Sequence, residues 1–220
     1  MKTTKFYLLL SLLWINLITA QEQSESIIVE APSDRFTNNW SFSAGVNMVD
    51  DSGNSLNTLF DFKENRKHNW AFKNPIYLGA TYYYKAQFSF YARTSFNSFK
   101  PGKSIDGTVV DEQSNPGFFA FDLGTLYSFK KLMNSEIFDL YIGYGFGYTN
   151  IGDYINQKDQ QEIDPKGRIT GNASGGLNIW LTKNIALNME AIAKLAYTTD
   201  TSHYLQYNLG VVYLLSKTPL

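Results

Sequence analysis

The segment LYIGYGFGY, residues 140–148, decides the fold of this chain. Every second residue from Leu140 to Tyr148 is aliphatic or aromatic, and the residues between them are Tyr141 and three glycines. A period of two is the signature of a β-strand, because successive side chains of a strand point to opposite faces. The segment therefore predicts a strand with one bulky apolar face and one face that carries little bulk.

The same alternation recurs along the chain and predicts eight strands in all. The alternating segments are residues 40–48, 76–83, 86–93, 119–128, 140–148, 172–181, 187–195 and 205–215. With their flanking residues these strands are roughly 10 to 13 residues long, well beyond the usual five or six of a soluble sheet. A strand of about 11 residues tilted near 40° rises roughly 28 Å, which is enough to cross the apolar core of a bilayer.

The connections between these segments alternate in length. Long polar connections cover residues 50–74, 99–116 and 151–168, with a shorter one near 198–203. Tight connections lie between them, near residues 84–85, 130–137 and 182–184. Long loops on one side and short turns on the other are typical of an up-and-down outer-membrane barrel. The even strand number predicts that both termini lie on the short-turn side, which would be the periplasm.

The two faces of the predicted strands differ in a way that favours a membrane barrel over a soluble one. The polar face consists mainly of Gly, Ser, Asn, Gln and Tyr, with four central charges at Arg93, Asp122, Glu190 and Lys194. A soluble barrel would carry many Lys and Glu residues on that face. The apolar face carries no charge, as lipid contact requires, since Arg or Lys there costs about 2–4 kcal/mol at mid-depth. The predicted fold class is an all-β, eight-stranded antiparallel transmembrane barrel.

Composition excludes several other classes of protein. The chain has 220 residues, no cysteine and a formal net charge of −1. Because acidic and basic residues are nearly equal in number, the chain lacks the excess of Lys and Arg that is typical of a nucleic-acid binder. The absence of cysteine excludes a disulfide scaffold, a thiolate zinc site, a catalytic thiol and a lipid-modified cysteine anchor.

The amino terminus has the pattern of an export signal. Lys2 and Lys5 precede an apolar run over residues 6–18, and the small Ala20 is followed by polar residues. A run of about 13 apolar residues is too short to span a bilayer and suits a signal peptide. The predicted organisation is a signal peptide at 1–20, a periplasmic leader at 21–37, the barrel at 38–216 and a short tail at 217–220.

Aromatic residues fall near both ends of the predicted strands. Amphipathic rings at the two membrane interfaces form the girdles that are typical of outer-membrane barrels. Trp40, Tyr127, Phe129 and Tyr213 are placed at the periplasmic end, and Tyr148 and Tyr197 at the outer end. The alternative is that aromatic residues merely favour strands. That preference explains their abundance but not their position.

Two stretches resemble the small eight-stranded outer-membrane barrels, such as OmpX and the transmembrane domain of OmpA. The stretch NNWSFSAGVNMVDDSGN at 38–54 resembles the first strand and loop of OmpA-type domains. The stretch NLGVVYLL at 208–215 resembles the signal read by the barrel assembly machinery, with Asn208, Gly210, Tyr213 and Leu215 in the matching positions. It departs from that signal because Leu, not an aromatic residue, ends it, and SKTPL follows.

The four central charges predict a polar network inside the barrel. The lumen of an eight-stranded barrel is just wide enough for side chains to fill it. Buried charges are tolerated only when they are paired and hydrogen-bonded, so Arg93, Asp122, Glu190 and Lys194 are predicted to balance one another. The family resemblance implies that such a network acts as a gate. The alternative is a purely structural core, in which the charges pair with one another and nothing is transported.

Catalytic and metal-binding signals are weak. His68 and His203 fall in or beside outer loops, and neither has the partner spacing that a catalytic triad needs. The acidic stretches at 49–54 and 159–164 could bind Ca²⁺, but neither has the ligand spacing of a known Ca²⁺ loop, and solvated turns are the favoured explanation. Lys63, Arg66 and Lys67 in the first long loop are candidates for contacts with lipid phosphates. The sequence predicts no cofactor and no enzyme.

The predicted function is structural or interaction-bearing, through binding or adhesion by the outer loops of a Gram-negative outer-membrane protein. The alternatives are a narrow, porin-like pore of low conductance and a subunit of an envelope or secretion complex, with a lipid A-modifying enzyme last. The predicted partners are outer-membrane lipid and lipopolysaccharide, the barrel assembly machinery during biogenesis, and an envelope protein. Nucleic acid is not among them.

Overall fold

Eight antiparallel strands close into a barrel in the computed structural model, which describes residues 35–51, 70–197 and 203–215. Each strand pairs with the next along the chain, and the eighth pairs back with the first. The eight barrel strands are β1 (Asn39–Asp50), β2 (Ile76–Lys85), β3 (Phe88–Ser98), β4 (Gly117–Ser128), β5 (Phe138–Ile151), β6 (Lys166–Trp180), β7 (Ile185–Ala196) and β8 (Tyr204–Leu214). The closing pair runs from Ser41 opposite Leu214 to Asp50 opposite Leu205. The predicted strand number, order and direction are confirmed.

The long connections contain structure of their own. Trp70–Ala71 extends the sheet beside the end of β1, and two small hairpins follow later in the chain. The first hairpin pairs Ser104–Ile105 with Thr108–Val109, and the second pairs Tyr154–Ile155 with Glu162–Ile163. A bridge between Val110 and Asn156 joins the two loops. In the short connection after β4, residues Lys130–Met133 form one helical turn.

Several boundaries differ from the sequence prediction. The tight turn predicted near 84–85 lies at residues 86–87, because β2 continues to Lys85. β5 reaches Ile151 and β6 begins at Lys166, so both strands extend into residues 151–168, which were predicted as loop. The extension pairs Lys166 with Ile151 and Arg168 with Thr149. Gly167 and Pro165 hid this extension, because glycine and proline are ordinarily signals of a turn. As a result, Arg168 belongs to the barrel wall.

The residues predicted to face lipid form an exposed apolar band around the barrel. Between the strand ends, no outward position carries Asp, Glu, Lys or Arg in the described strands. Large side chains such as Phe146 at 64% and Leu209 at 55% are exposed on this surface. A contiguous exposed apolar surface of this kind marks contact with a membrane or a partner.

The predicted girdle residues lie on the same outer surface. Those exposed by at least 40% are Trp40, Tyr127, Tyr148, Tyr197 and Tyr213. Phe129 is half-buried and packs its ring against Tyr127, with the ring centroids 5.3 Å apart. Their interfacial role stays a prediction. Among the described residues, no helix is long and apolar enough to cross a membrane.

Glycines on the inner face make room for tyrosine rings. Gly45 and Gly210 lie opposite each other on β1 and β8, and the ring of Tyr77 lies over both. A Cβ added to Gly210 would lie 2.4 Å from the Tyr77 hydroxyl, and one on Gly45 would lie 2.2 Å from the Leu209 carbonyl oxygen. Both approaches are too close for any side chain. The glycines of the alternating pattern therefore allow large polar rings to fill a narrow barrel.

We predict that Gly145→Ala destabilises the barrel by about 1–3 kcal/mol, as overpacking does. Gly145 faces Gly124 across the β4–β5 pair, and a Cβ there would lie 2.2 Å from the Leu123 carbonyl oxygen. The matched control is Gly175→Ala, because a Cβ at Gly175 meets nothing within 4 Å. Urea unfolding in lipid vesicles measures both. Equal stability of the two variants would contradict the proposed packing.

Candidate functional site

The structure brings the four predicted lumen charges together as two ion pairs. Arg93 on β3 places Nη1 2.6 Å from Oε2 of Glu190 on β7. Lys194 on β7 donates to Oδ1 and Oδ2 of Asp122 on β4, at 2.7 and 2.8 Å. All four residues are at most 7% exposed. Arg93 is also in register with Asp122 on the neighbouring strand, although its ion pair reaches across the lumen to Glu190.

Side-chain amides support both carboxylates. Asn208 Nδ2 donates to Glu190 Oε2 at 3.1 Å, and Gln206 Nε2 donates in turn to Asn208 Oδ1 at 3.0 Å. Asn172 Nδ2 donates to Asp122 Oδ1 at 2.8 Å. Such hydrogen bonds offset part of the cost of burying charge. The layer is therefore a hydrogen-bonded network of side chains from several strands.

Below the ion pairs, a second polar layer fills the lumen. Asn188 Nδ2 donates to Asn178 Oδ1 at 2.8 Å, and Asn178 Nδ2 donates to Asp139 Oδ2 at 3.3 Å. The Tyr141 hydroxyl accepts from Asn188 at 2.9 Å. A cavity of about 30 Å³, which is large enough to hold water, remains between this layer and Arg93. The lumen is thus packed with side chains at this level.

Asp139 was missed by the sequence analysis. It lies at the second position of β5, is 3% exposed and accepts a hydrogen bond from Ser128 Oγ. The alternation that begins at Tyr141 extends back to Asp139, so the parity of the strand could have placed it on the inner face. The apolar alternation seen in the sequence starts only at Leu140, after the turn predicted at 130–137, and so leaves Asp139 out.

A third charged cluster, which was also missed, closes the lumen at the end of the barrel that carries the long loops. This end is called the outer end, and the end with the short turns is called the inner end. Arg168 on β6 is fully buried, and its Nη1 and Nη2 lie 2.9 Å from carboxylate oxygens of Asp51 and Asp106. Asp51 belongs to the stretch considered as a Ca²⁺ loop, but its carboxylate pairs with an arginine. Asp106 is in the first hairpin, so Arg168 holds that hairpin against the barrel. Within the described residues, no group of three or more His, Cys, Asp or Glu side chains that could hold a metal ion is found.

An apolar cap surrounds this outer cluster. Phe99, Phe118 and Tyr204 stack edge to face, with centroid distances of 6.4 Å for the first pair and 6.1 Å for the second. Ile105 and Val110 of the first hairpin loop are fully buried against them. Burial of these side chains stabilises the folded hairpins by the hydrophobic effect. The outer mouth is therefore covered by packed loops.

The inner mouth is closed by a residue predicted to lie in the leader. Phe36 is 4% exposed, and its ring lies 5.3 Å from Tyr83 and 5.2 Å from Trp180 between ring centroids. The Arg35 guanidinium stacks over Phe36 at 4.8 Å, and the Lys130 ammonium lies 4.4 Å from the same ring. Burial, and then the nearby charge of Arg35, lower the pKa of Lys130 to about 8. The last residues of the predicted leader thus pack into the barrel.

The predicted assembly-signal residues occupy both faces of β8. Asn208 points into the lumen and Gly210 faces Gly45, whereas Tyr213 and Leu215 are exposed on the outside at 46% and 38%. Their recognition during assembly stays a prediction.

His203, which was weighed as a catalytic candidate, is exposed, and its Nδ1 accepts a hydrogen bond from the Ala196 amide at 3.1 Å.

Several sequence predictions lie outside the described residues. These are the signal peptide, the leader before Arg35, the tail, His68, and the basic residues Lys63, Arg66 and Lys67.

Comparison with solved structures identifies the architecture. OprG from Pseudomonas aeruginosa is 13% identical, with a TM-score of 0.54 and coverage of 82% of this chain and 97% of that chain. The N-terminal barrel of Pseudomonas aeruginosa OprF is 13% identical, with a TM-score of 0.51 and coverage of 81% and 98%. AlkL is 14% identical, with a TM-score of 0.51 and coverage of 90% and 99%. The chain has the fold of a small outer-membrane β-barrel.

At these identities the likeness concerns the fold, and it confirms the predicted resemblance at that level. No protein-family model matches the chain, and no curated protein matches it. The details of the lumen therefore rest on this barrel's own residues.

We predict that removing one partner of the Arg93–Glu190 pair costs more stability than removing both. Arg93→Met leaves Glu190 charged and unpaired in the lumen, which typically costs about 3–5 kcal/mol. The double variant Arg93→Met with Glu190→Gln removes both charges and should recover part of that loss. A double-mutant cycle, measured by urea unfolding in vesicles, gives the coupling energy. Additive costs of the two single variants would contradict the pairing.

Proposed function

We propose that this protein is an integral outer-membrane barrel with a closed lumen, and that it acts through its folded outer loops in a structural or binding role. The observation that carries the proposal is the combination of an uncharged apolar band outside with a lumen filled by paired charges inside. A surface of that kind is costly in water and suits hydrocarbon. We orient the barrel with its long loops at the cell surface, so that the short turns and both chain termini face the periplasm.

Three seals along the axis support a closed lumen. The outer seal is the Arg168 cluster under its apolar cap, the central seal is the layer of two ion pairs, and the inner seal is Phe36 against Trp180. Each is made of residues that are almost fully buried. A solute would have to break all three to pass.

The outer loops support a role in binding. Both hairpins are joined by the Val110–Asn156 bridge, and Asp111 accepts from Gln160 Nε2 at 3.1 Å, which ties the same two loops together. A loop surface that is held in one shape loses less conformational entropy when a partner binds. The folded cap is therefore a suitable platform for a partner at the cell surface.

A narrow pore is the second candidate, and one observation favours it. Arg93 lies in register with Asp122 and could exchange Glu190 for that carboxylate without leaving its strand. Such an exchange would rearrange the central seal. We propose no catalytic role: in the described part of the chain, the Nδ1 of the one histidine, His203, accepts a hydrogen bond from the Ala196 amide and not from a nucleophile.

Conductance in planar bilayers tests the closed lumen. We expect no resolvable current steps from the wild-type barrel, since all three seals block the axis. Phe36→Ala is expected to stay silent as well, because it opens the inner seal alone. Heat-denatured protein serves as the control for leaks. Uniform steps that scale with salt concentration would favour the pore.

A further inference from the structure

One sector of the outer rim carries lysines directly beside the apolar band. We define the basic rim as Lys73, Lys100 and Lys103. Lys73 precedes β2, and its backbone amide donates to Asn97 Oδ1 of β3 at 2.9 Å. Lys100 follows β3 by two residues. The basic rim therefore lies at the outer end of the β2–β3 pair.

A tight turn holds two of these lysines at fixed positions. The Lys103 amide donates to the Lys100 carbonyl at 3.3 Å, so the two residues are the first and fourth of a β-turn. Gly102 takes the third position with a φ of 76°, a conformation that suits glycine. The Gly102 amide also donates to the carbonyl of the buried Val110 at 2.8 Å. The turn is thus fastened to the packed outer cap.

Two of the three carboxylates of the same loop are engaged elsewhere, and the third, that of Glu112, is exposed. Asp106 is paired with Arg168, and Asp111 accepts hydrogen bonds from the Gln113 amide and from Gln160. Neither Lys73 nor Lys100 forms an ion pair with any carboxylate in the described part of the chain. Burial, and then the charge of Lys100, lower the pKa of Lys103, which agrees with two ammonium groups held close together. An anion beside them would relieve that repulsion.

Exposed apolar side chains continue from the basic rim onto the membrane-facing wall. Phe72 and Ile76 are each 51% exposed, and Phe96 is 44% exposed. Phe96 packs against Phe119 with ring centroids 5.4 Å apart, which forms a firm aromatic surface. Cations above an apolar wall match an amphipathic ligand whose anionic head sits at the interface and whose chains lie in hydrocarbon.

The described connection between β5 and β6, at the same end of the barrel, is acidic instead. The connection between β5 and β6 carries the acidic residues Asp153, Asp159, Glu162 and Asp164, with Lys158 at its tip. An anionic lipid would therefore be repelled there and attracted to the β2–β3 sector.

We propose that the basic rim binds the phosphate of a phosphorylated glycolipid in the outer leaflet, with acyl chains lying on Phe72, Ile76 and Phe96. This inference rests on the proposed outer-membrane location of the barrel. It gives the lipid a preferred position on the barrel wall, beside the cap that the outer loops form. The lysines recognise the phosphate group, and the aromatic wall selects a lipid over a free phosphate.

The test compares two triple variants with the same change in charge. Lys73→Gln, Lys100→Gln and Lys103→Gln remove the basic rim; Lys131→Gln, Lys158→Gln and Lys183→Gln are the control, since these lysines lie on the inner turns or at the far hairpin tip. The probe is lipid A with two phosphates, added to the barrel in detergent micelles and counted by native mass spectrometry. We expect the rim variant to bind at least about tenfold more weakly and the control to bind like wild type.

Two further arms identify the ligand chemistry. Lipid A without phosphates should bind as weakly to wild type as lipid A with phosphates binds to the rim variant, and inorganic phosphate at equal concentration should not displace the phosphorylated lipid. Equal affinities of the two triple variants, or full displacement by inorganic phosphate, would overturn the proposal. Insertion into phosphatidylcholine vesicles is scored separately for every variant. Failure of all variants to insert would instead contradict the proposed membrane location.

Discussion

A sheet that closes on itself has two faces and no edge, and this constraint organises the whole molecule. Closure satisfies the backbone hydrogen bonds of β1 and β8 against each other, so no strand edge is left unpaired in lipid. Each side chain must then lie either on the outer face or in the lumen. The alternation with a period of two places apolar side chains on the outer face and polar side chains in the lumen. The free-energy cost of a charged side chain differs between these two faces.

On the inner side, the narrowness of the barrel decides the chemistry. Every charge there must be paired or hydrogen-bonded within reach. Arg93–Glu190 and Lys194–Asp122 meet that requirement in one layer and the Arg168 cluster in another, while Asp139 accepts hydrogen bonds from Ser128 and Asn178. Tyrosine rings fill the remaining space because glycines on adjacent strands leave room for them. The lumen is therefore filled by side chains in specific contacts, as the core of a soluble protein is. The mouths are closed by chain segments that lie outside the strands.

The sequence predicted the barrel wall well because that wall depends on local alternation. Strand number, order and the four central charges follow from residue parity. Arg168 was missed because its strand extends through Gly167, and Asp51 because its partner is more than 100 residues away, across a loop whose path no periodicity encodes. Phe36 was missed because an isolated aromatic residue in a polar leader gives no periodic signal. Contacts made by loops and termini depend on the three-dimensional path of the chain.

The central claim is that the uncharged face of this barrel touches hydrocarbon. The chain has no cysteine, so single cysteines at the outward positions 187, 189, 191, 193 and 195 of β7 can each carry a nitroxide label without background, and the lumen ion pairs of Glu190 and Lys194 stay intact. Electron paramagnetic resonance in lipid vesicles then measures collisions with oxygen, which concentrates in the bilayer, and with a water-soluble nickel chelate. The account predicts more collisions with oxygen than with the chelate at all five positions, and the reverse for a control label at the exposed Asp159 in the connection between β5 and β6. Free access of the chelate to the five positions would contradict it.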